Sequence, residues 1–288
     1  MGNELIIRIK TAIIFILILF LSLIAVDSNI IYLKIPAFTL FLGLSLILLY
    51  ETAKIINLSI SEKKSGFFII ASFLVPLAFL IYPRIFHPDI SNINSAIFLL
   101  FGNLVSGFLC VFIIFLNSRF KFTSILENFR IILPAFLHIC IGVSSFIYLL
   151  IIEDSFFIIL WILLVVTATD SIAYFVGKSF GKSPLAPVIS PKKTIEGSIA
   201  GLIAGALTGF IAFSLLDDSL PVYCIALFCI IVPISAMLGD LNASYLKRIA
   251  LVKDSGRILP GHGGVLDRAD ATLACTVWLV FFVLFQGM

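Results

Sequence analysis

Apolar runs of membrane-crossing length recur from one end of this 288-residue sequence to the other. A bilayer core about 30 Å thick takes roughly 17 to 25 residues of helix to cross. Nine stretches come close to that length: Thr11 to Val26, Ile30 to Tyr50, Gly66 to Tyr82, Ser95 to Leu116, Ile131 to Ile152, Phe156 to Val176, Thr194 to Leu216, Leu220 to Leu238 and Ala271 to Gln286. Backbone groups in lipid have no water to bond, so each run is expected to be a helix. Composition agrees: 61% of the residues are apolar and 12% charged, against about 25% charged in soluble domains. The sequence predicts an all-α integral membrane protein of about nine transmembrane helices.

Basic residues orient those helices. With the N-terminus in the cytosol, seventeen of the nineteen lysines and arginines fall on the cytosolic side, leaving Lys34 and Arg84 outside. That is the bias the positive-inside rule describes. Asp27, Asp89, Glu153, Asp154, Asp217 and Asp218 make the opposite turns acidic. No small-x-small cleavage site follows the first run at Ala25, Val26 and Asp27, so an uncleaved first span is expected. Cys110, Cys140, Cys224, Cys229 and Cys275 lie inside expected spans without metal-type spacing and read as packing or lipid-facing residues. The net charge of +3 follows from this topology and points to no nucleic acid.

Composition divides the chain. Residues 1 to 152 offer spans and scattered charges, with no two functional-looking groups at a meaningful spacing, and read as a transmembrane scaffold region. Residues 153 to 288 read as a catalytic region with polar loops facing the cytosol. Its first polar segment runs from Thr167 to Gly177, where Asp170 interrupts an apolar helix and Tyr174 shares its face. A carboxylate at such depth costs roughly 2.5 to 3.5 kcal/mol on insertion scales, which favours a polar cavity beside it. The plainer reading is a packing residue bonded to Ser171 or Thr167.

The second segment, Pro187 to Gly197, has Ser190 and Pro191 in the pattern of an N-cap and a first-turn proline, so a helix is expected to begin there. Its free amides beside Lys192 and Lys193 would suit a phosphate, and Glu196 would share a face with Lys192. Alternatively the lysines only hold the loop in the cytosol.

The third segment, from Met237 to Asp270, is where acids, bases and glycines converge. Asp240, Ser244, Lys247 and Arg248 fall on one helical face. Gly261, His262, Gly263 and Gly264 form a turn whose glycines allow successive amides to face an anion. Asp267 and Asp270 open the last span one turn apart. Magnesium prefers one or two carboxylates completed by phosphate oxygens and water, so Asp240 and Asp267 around a glycine turn suggest a metal on a polyphosphate. Singly, the acids could serve the helix dipole and the bases could grip anionic headgroups. Their density within about thirty residues on one membrane side favours the phosphate site.

These residues carry a resemblance. The run Ser244-x-Leu246-Lys247-Arg248, then Lys253-Asp254-x-Gly256, then Leu259-Pro260-x-His262-Gly263-Gly264-Val265-x-Asp267-Arg268-x-Asp270 resembles the signature of the CDP-diacylglycerol synthases, or phosphatidate cytidylyltransferases. Asp170-Ser171-x-Ala173-Tyr174-Phe175-x-Gly177 and Ser190-Pro191-Lys192-Lys193-Thr194-x-Glu196-Gly197 are similar to that family's other blocks, in the same order. There are departures: Ala243 stands where the family often has Glu, Ala269 replaces a larger residue or threonine, and Ile172 a small one.

The resemblance implies that CTP and phosphatidic acid, met at the lipid bilayer, give CDP-diacylglycerol and pyrophosphate. It implies Mg2+, with a second, monovalent ion such as K+ left open, and a homodimer as a family-level expectation. A bacterial-type inner membrane with the site facing the cytosol is expected. Carried onto this chain, Asp240 and Asp267 would hold metal with Asp270 as a helper, and Lys193 and Lys247 would act on the reacting phosphates. Lys192, Ser244, Arg248, Lys253, His262, Gly263, Gly264 and Arg268 would bind substrate, with Asp170 and Glu196 shaping the cavity. Two other readings stay open: a related enzyme acting on another lipid phosphate or a polyprenol, and a multipass transporter using Asp170 and Glu196.

Overall fold

The computed structural model describes residues 2–28, 30–60, 74–81, 91–117, 122–152, 155–216, 222–259 and 263–286. Its elements in chain order are α1 (Gly2–Asp27), α2 (Ile31–Ser59), α3 (Asn92–Asn117), α4 (Phe122–Ala135), a π-turn (Phe136–Cys140), α5 (Ile141–Ile151), α6 (Ser155–Phe180), strands β1 (Pro184–Ala186) and β2 (Ser190–Thr194), α7 (Ile195–Leu216), α8 (Val222–Ile249) and α9 (Leu266–Gln286). A short helical stretch also covers residues 74–81. The chain is thus an all-helical membrane protein carrying one small antiparallel hairpin, with Pro184 opposite Thr194 and Ala186 opposite Ser190.

Among the described residues, six helices are long and apolar enough to cross a membrane. The first and last expected spans lie on α1 and α9, outside those six. The expected span from 66 to 82 falls largely outside the described residues. Two helices outrun their apolar segments. α2 continues past Tyr50 to Ser59, and α8 continues past Leu238 to Ile249. Those extra turns carry Glu51 on one helix and Asp240, Ser244 and Lys247 on the other.

The helix expected at Ser190 begins instead at Ile195, because Ser190 to Thr194 pair with β1 as a strand. Pro191 is tolerated in a strand with a single partner. Thr194 then serves the helix start: its Oγ1 accepts the Gly197 amide at 3.2 Å.

α6 and α7 form the closest helix pair. Gly197, Gly201, Gly205 and Gly209 recur every fourth residue along α7, and the resulting groove admits the backbone of α6. A Cβ at Gly201 would lie 2.6 Å from the Thr169 carbonyl oxygen, and one at Gly197 would lie 2.5 Å from that of Ala173. Small residues at such spacing let membrane helices pack backbone to backbone. Ile195, Ile199, Ile203 and Leu207 point the other way and are exposed. That stripe is the lipid-facing side of the same helix. Trp161 clamps the far end by donating its Nε1–H to the Gly209 carbonyl at 2.8 Å.

On the opposite side α5 packs against α9. A Cβ at Gly142 would lie 2.7 Å from the Leu273 carbonyl oxygen, and Thr276 Oγ1 donates to the Gly142 carbonyl at 2.9 Å. Val143, Ile147, Tyr148, Val165, Val232 and Val280 fill the interior between these layers. All five cysteines are buried and none is in a disulfide, as expected of packing residues.

A methyl group at Gly201 has no room, whereas one at Gly43 meets nothing within 4 Å. Gly201→Ala is expected to destabilise by about 1 to 3 kcal/mol through overpacking, and Gly43→Ala to be neutral or to gain up to about 1 kcal/mol of helix propensity. Thermal unfolding of the two purified variants in one detergent checks the opposite signs.

Candidate active site

The C-terminal ends of α6 and α8 and the hairpin leading into α7 meet around a cavity of about 660 Å³. Asp170 and Tyr174 line it from α6, Lys192 and Lys193 from β2, and Asp240 from α8. Both Asp170 and Tyr174 face open space, one helical turn apart, as their spacing predicts. Lys193 Nζ lies 2.6 Å from Asp240 Oδ2, and the pair keeps 25% and 32% of its side-chain exposure. Ser244, one turn on from Asp240, approaches Asp240 Oδ1 at 3.4 Å.

A second cluster lies further along the same face of α8. Lys247 Nζ meets Asp267 Oδ1 at 2.6 Å, with only 13% and 11% of the side chains exposed. The other carboxylate oxygen, Oδ2, accepts the Ser255 amide at 2.8 Å, the Ser255 hydroxyl at 3.0 Å and the Gly264 amide at 3.0 Å. Burial alone would raise the Asp267 carboxyl. Lys247 and the amides of Gly264 and Ser255 outweigh it and hold the group below the usual carboxylate range. Asp270 is buried at 8% exposure, and its carbonyl oxygen packs against Gly239 of α8, where an added Cβ would lie 2.8 Å away.

The remaining predicted residues divide. Arg248 Nε donates to the Ile189 carbonyl at 3.2 Å, tying α8 to the hairpin. Lys253 and Arg268 are exposed. Gly263 has φ of +87°, the left-handed backbone that favours glycine. Gly264 is next to it, its amide already taken by Asp267. His262 falls outside the described residues. Glu196 accepts the Lys182 amide at 3.1 Å and the Ser183 amide at 3.1 Å, so it secures the turn into β1. It does not line the cavity with Asp170. Lys192, being on a strand, shares no helical face with it. Ala243 has no exposed surface, so the position where the family often has Glu faces the helix interior.

Two residues that the sequence did not single out join this region. Glu51 of α2, buried at 2% exposure, accepts the Ser255 hydroxyl and the Leu266 amide at 2.9 Å each and the Val265 amide at 3.2 Å. Its signal was a lone acid at the end of an apolar run, which reads as a loop charge if the helix stops at Tyr50. His138, in the π-turn that follows Pro134, sets Nε2 at 2.7 Å from the Asp270 carbonyl oxygen. A carbonyl only accepts, so Nε2 carries the proton.

Helices long and apolar enough to cross a membrane, with two lysine–carboxylate pairs gathered at one end, define a polytopic membrane protein with a charged pocket. The model of the cytidylyltransferase family matches residues 6–286, nearly the full chain, and the protein belongs to that family. It is 48% identical over 119 residues to the phosphatidate cytidylyltransferase of Staphylococcus haemolyticus, covering 41% of this chain and 46% of the relative. It is 45% identical over 116 residues to that of Helicobacter pylori, 40% of this chain and 42% of the relative. With that of Bacillus subtilis it shares 44% over 119 residues, 41% of this chain and 44% of the relative. The matched stretch spans less than half the length of each of these relatives.

Because the folded Asp267 carboxyl is held low, the stability it supplies is full above the ordinary carboxylate pKa near 4. It is lost as pH falls through the lowered value. Wild type is therefore expected to melt above Asp267→Asn at neutral pH, with the gap narrowing only below about pH 4. Paired melting curves across pH check this, and a gap that is constant with pH contradicts it.

Proposed function

We propose that this protein is a phosphatidate cytidylyltransferase, joining CTP to phosphatidic acid with release of pyrophosphate. The observation that carries this reading is the Lys193–Asp240 pair in a cavity shared with Asp170, with Lys247 further along the same face of α8 and paired to Asp267 of α9. The activity for which its relatives are named supports the choice of substrates. In the reaction a phosphate oxygen of the lipid bonds to the α-phosphorus of CTP, and the bond from that phosphorus to the bridging oxygen of the β-phosphate breaks. The nucleophile is already anionic, so no strong general base is needed. The chain's task is to hold two polyanions together and to absorb charge on the departing pyrophosphate.

Lys193 is free to turn toward a phosphate, because its partner is a carboxylate about a third exposed. An ion pair with that exposure is worth about 0 to 1 kcal/mol, so exchanging it costs little. Lys192 lines the same cavity and Arg248 meets the hairpin at Ile189, and both would extend the cationic surface. Among the described residues no three acids, histidines or cysteines gather into a metal cage. Magnesium asks for less, one or two carboxylates beside phosphate oxygens, and Asp240 fits that role. Asp267 fits it less well, since both of its oxygens are already held. Bound there, Mg2+ would screen the triphosphate and orient its α-phosphorus.

The same reading gives nine crossings, a cytosolic N-terminus and a cavity open to the cytosol of a bacterial-type inner membrane. The bias of the basic residues supports it. Radiolabelled CTP, phosphatidate and Mg2+ with the purified protein are expected to yield CDP-diacylglycerol and pyrophosphate. Asp240→Asn should lower turnover by about 10²-fold or more, the scale of losing one group that stabilises developing charge, while the protein still inserts. Near-normal turnover by that variant would overturn the role given to Asp240, and absence of a CDP-lipid from wild type would overturn the function.

A further inference from the structure

We propose that Glu51, from the N-terminal half of the chain, is the positioning residue of the signature loop, fixing Ser255, Gly264, Val265 and Leu266 so that Asp267 can hold Lys247 against the reaction site. The proposal rests on the cytidylyltransferase reading for its catalytic consequence, but its geometry stands independently. Glu51 lies on the last turns of α2 and is buried at 2% exposure. A buried carboxylate is costly unless its oxygens are met, and among the described residues no lysine or arginine forms an ion pair with it. Neutral donors meet it instead. Oε1 accepts the Val265 amide at 3.2 Å, and Oε2 accepts the Leu266 amide and the Ser255 hydroxyl at 2.9 Å each.

Val265 and Leu266 stand at the start of α9, where amides have no partner within the helix and the dipole favours a negative charge. Glu51 caps that helix from more than two hundred residues away in sequence. Ser255 makes the connection to the site. Its Oγ lies 2.9 Å from Glu51 Oε2 and 3.0 Å from Asp267 Oδ2. One hydroxyl proton serves both acids in turn, so moving one carboxylate disturbs the other, and Asp267 holds Lys247 at 2.6 Å.

Two glycines of the loop are shaped by the same carboxylate. A Cβ at Gly264 would lie 2.5 Å from Glu51 Oε2 and 2.6 Å from Oε1, and one at Gly256 would lie 2.9 Å from Glu51 Cδ and collide with Oε1. Gly264 was expected to offer its amide to a phosphate. Its amide goes to Asp267, and its missing side chain makes room for Glu51.

Glu51→Gln is the sharp variant, because it keeps size but turns an amide group toward the N–H donors of Val265 and Leu266. It is expected to lower kcat/KM for CTP by about 10²-fold, the cost of misplacing catalytic groups by about an ångström. The KM for phosphatidate should not change, and hydrogen exchange should speed up at residues 253–259 and 263–266 but not in α6 or α7. Glu51→Asp, which keeps two acceptor oxygens on a shorter stem, should retain more activity than the Gln variant. Ser255→Ala should lose activity in the same direction, and the double variant should be no worse than Glu51→Gln alone, since linked residues are not additive.

Activity of Glu51→Gln within twofold of wild type overturns the proposal. So does a loss that tracks global unfolding while Ser255→Ala keeps full activity and an unchanged loop. If wild type makes no CDP-lipid, the function fails separately, and exchange alone decides: faster exchange confined to the loop supports the clamp, and unchanged exchange overturns it.

Discussion

The first amides of α9 are the constraint around which the polar end of this protein is arranged. A helix start carries donors that nothing inside the helix can meet, and here the start is packed beneath apolar neighbours, with Val265 at 4% and Leu266 at 0% exposure. Two carboxylates divide the donors. Glu51 takes Val265 and Leu266, and Asp267 takes Gly264 and the Ser255 amide that lies across the loop. Meeting these amides places Asp267 where Lys247 reaches it, and so places Lys247 on the face of α8 that also carries Asp240.

The two lysine pairs differ in what they can do. Lys247–Asp267 is nearly closed to solvent, and its acid is held by three further contacts. Breaking one partner from such a pair leaves an unmet buried charge, at a cost of about 3 to 5 kcal/mol. Lys193–Asp240 is far more open and contributes little to stability. The first pair therefore acts as framework and the second as the adjustable contact, although in sequence the four residues look equivalent.

Much of this is legible in the sequence. Helical spacing alone put Asp240, Ser244 and Lys247 on one face, and depth alone put Asp170 beside a cavity; both hold. Local rules failed where a tertiary partner outweighed them. Ser190 and Pro191 make a good helix start, yet pairing with β1 keeps them extended and defers the cap to Thr194. Glu196 looked like a cavity acid because its partners, the amides of Lys182 and Ser183, lie across the hairpin. Glu51 was hidden for a related reason. Its donors are far away in sequence, and a lone acid beyond an apolar run carries no sign of whether the helix continues past it. A departure from the family pattern is also placed: Ala243 is fully buried and does not line the cavity.

The glycines of α7 give that wall a mechanical character. Where Gly197 and Gly201 meet the carbonyl oxygens of α6, main chain touches main chain, with no side-chain torsion between them to absorb a displacement. Interiors packed in this way transmit strain and yield little to it. Asp170 and Tyr174 therefore belong to a stiff jaw, and any breathing of the cavity as it fills and empties falls to the jaw opposite, the hairpin with Lys193 and the free end of α8.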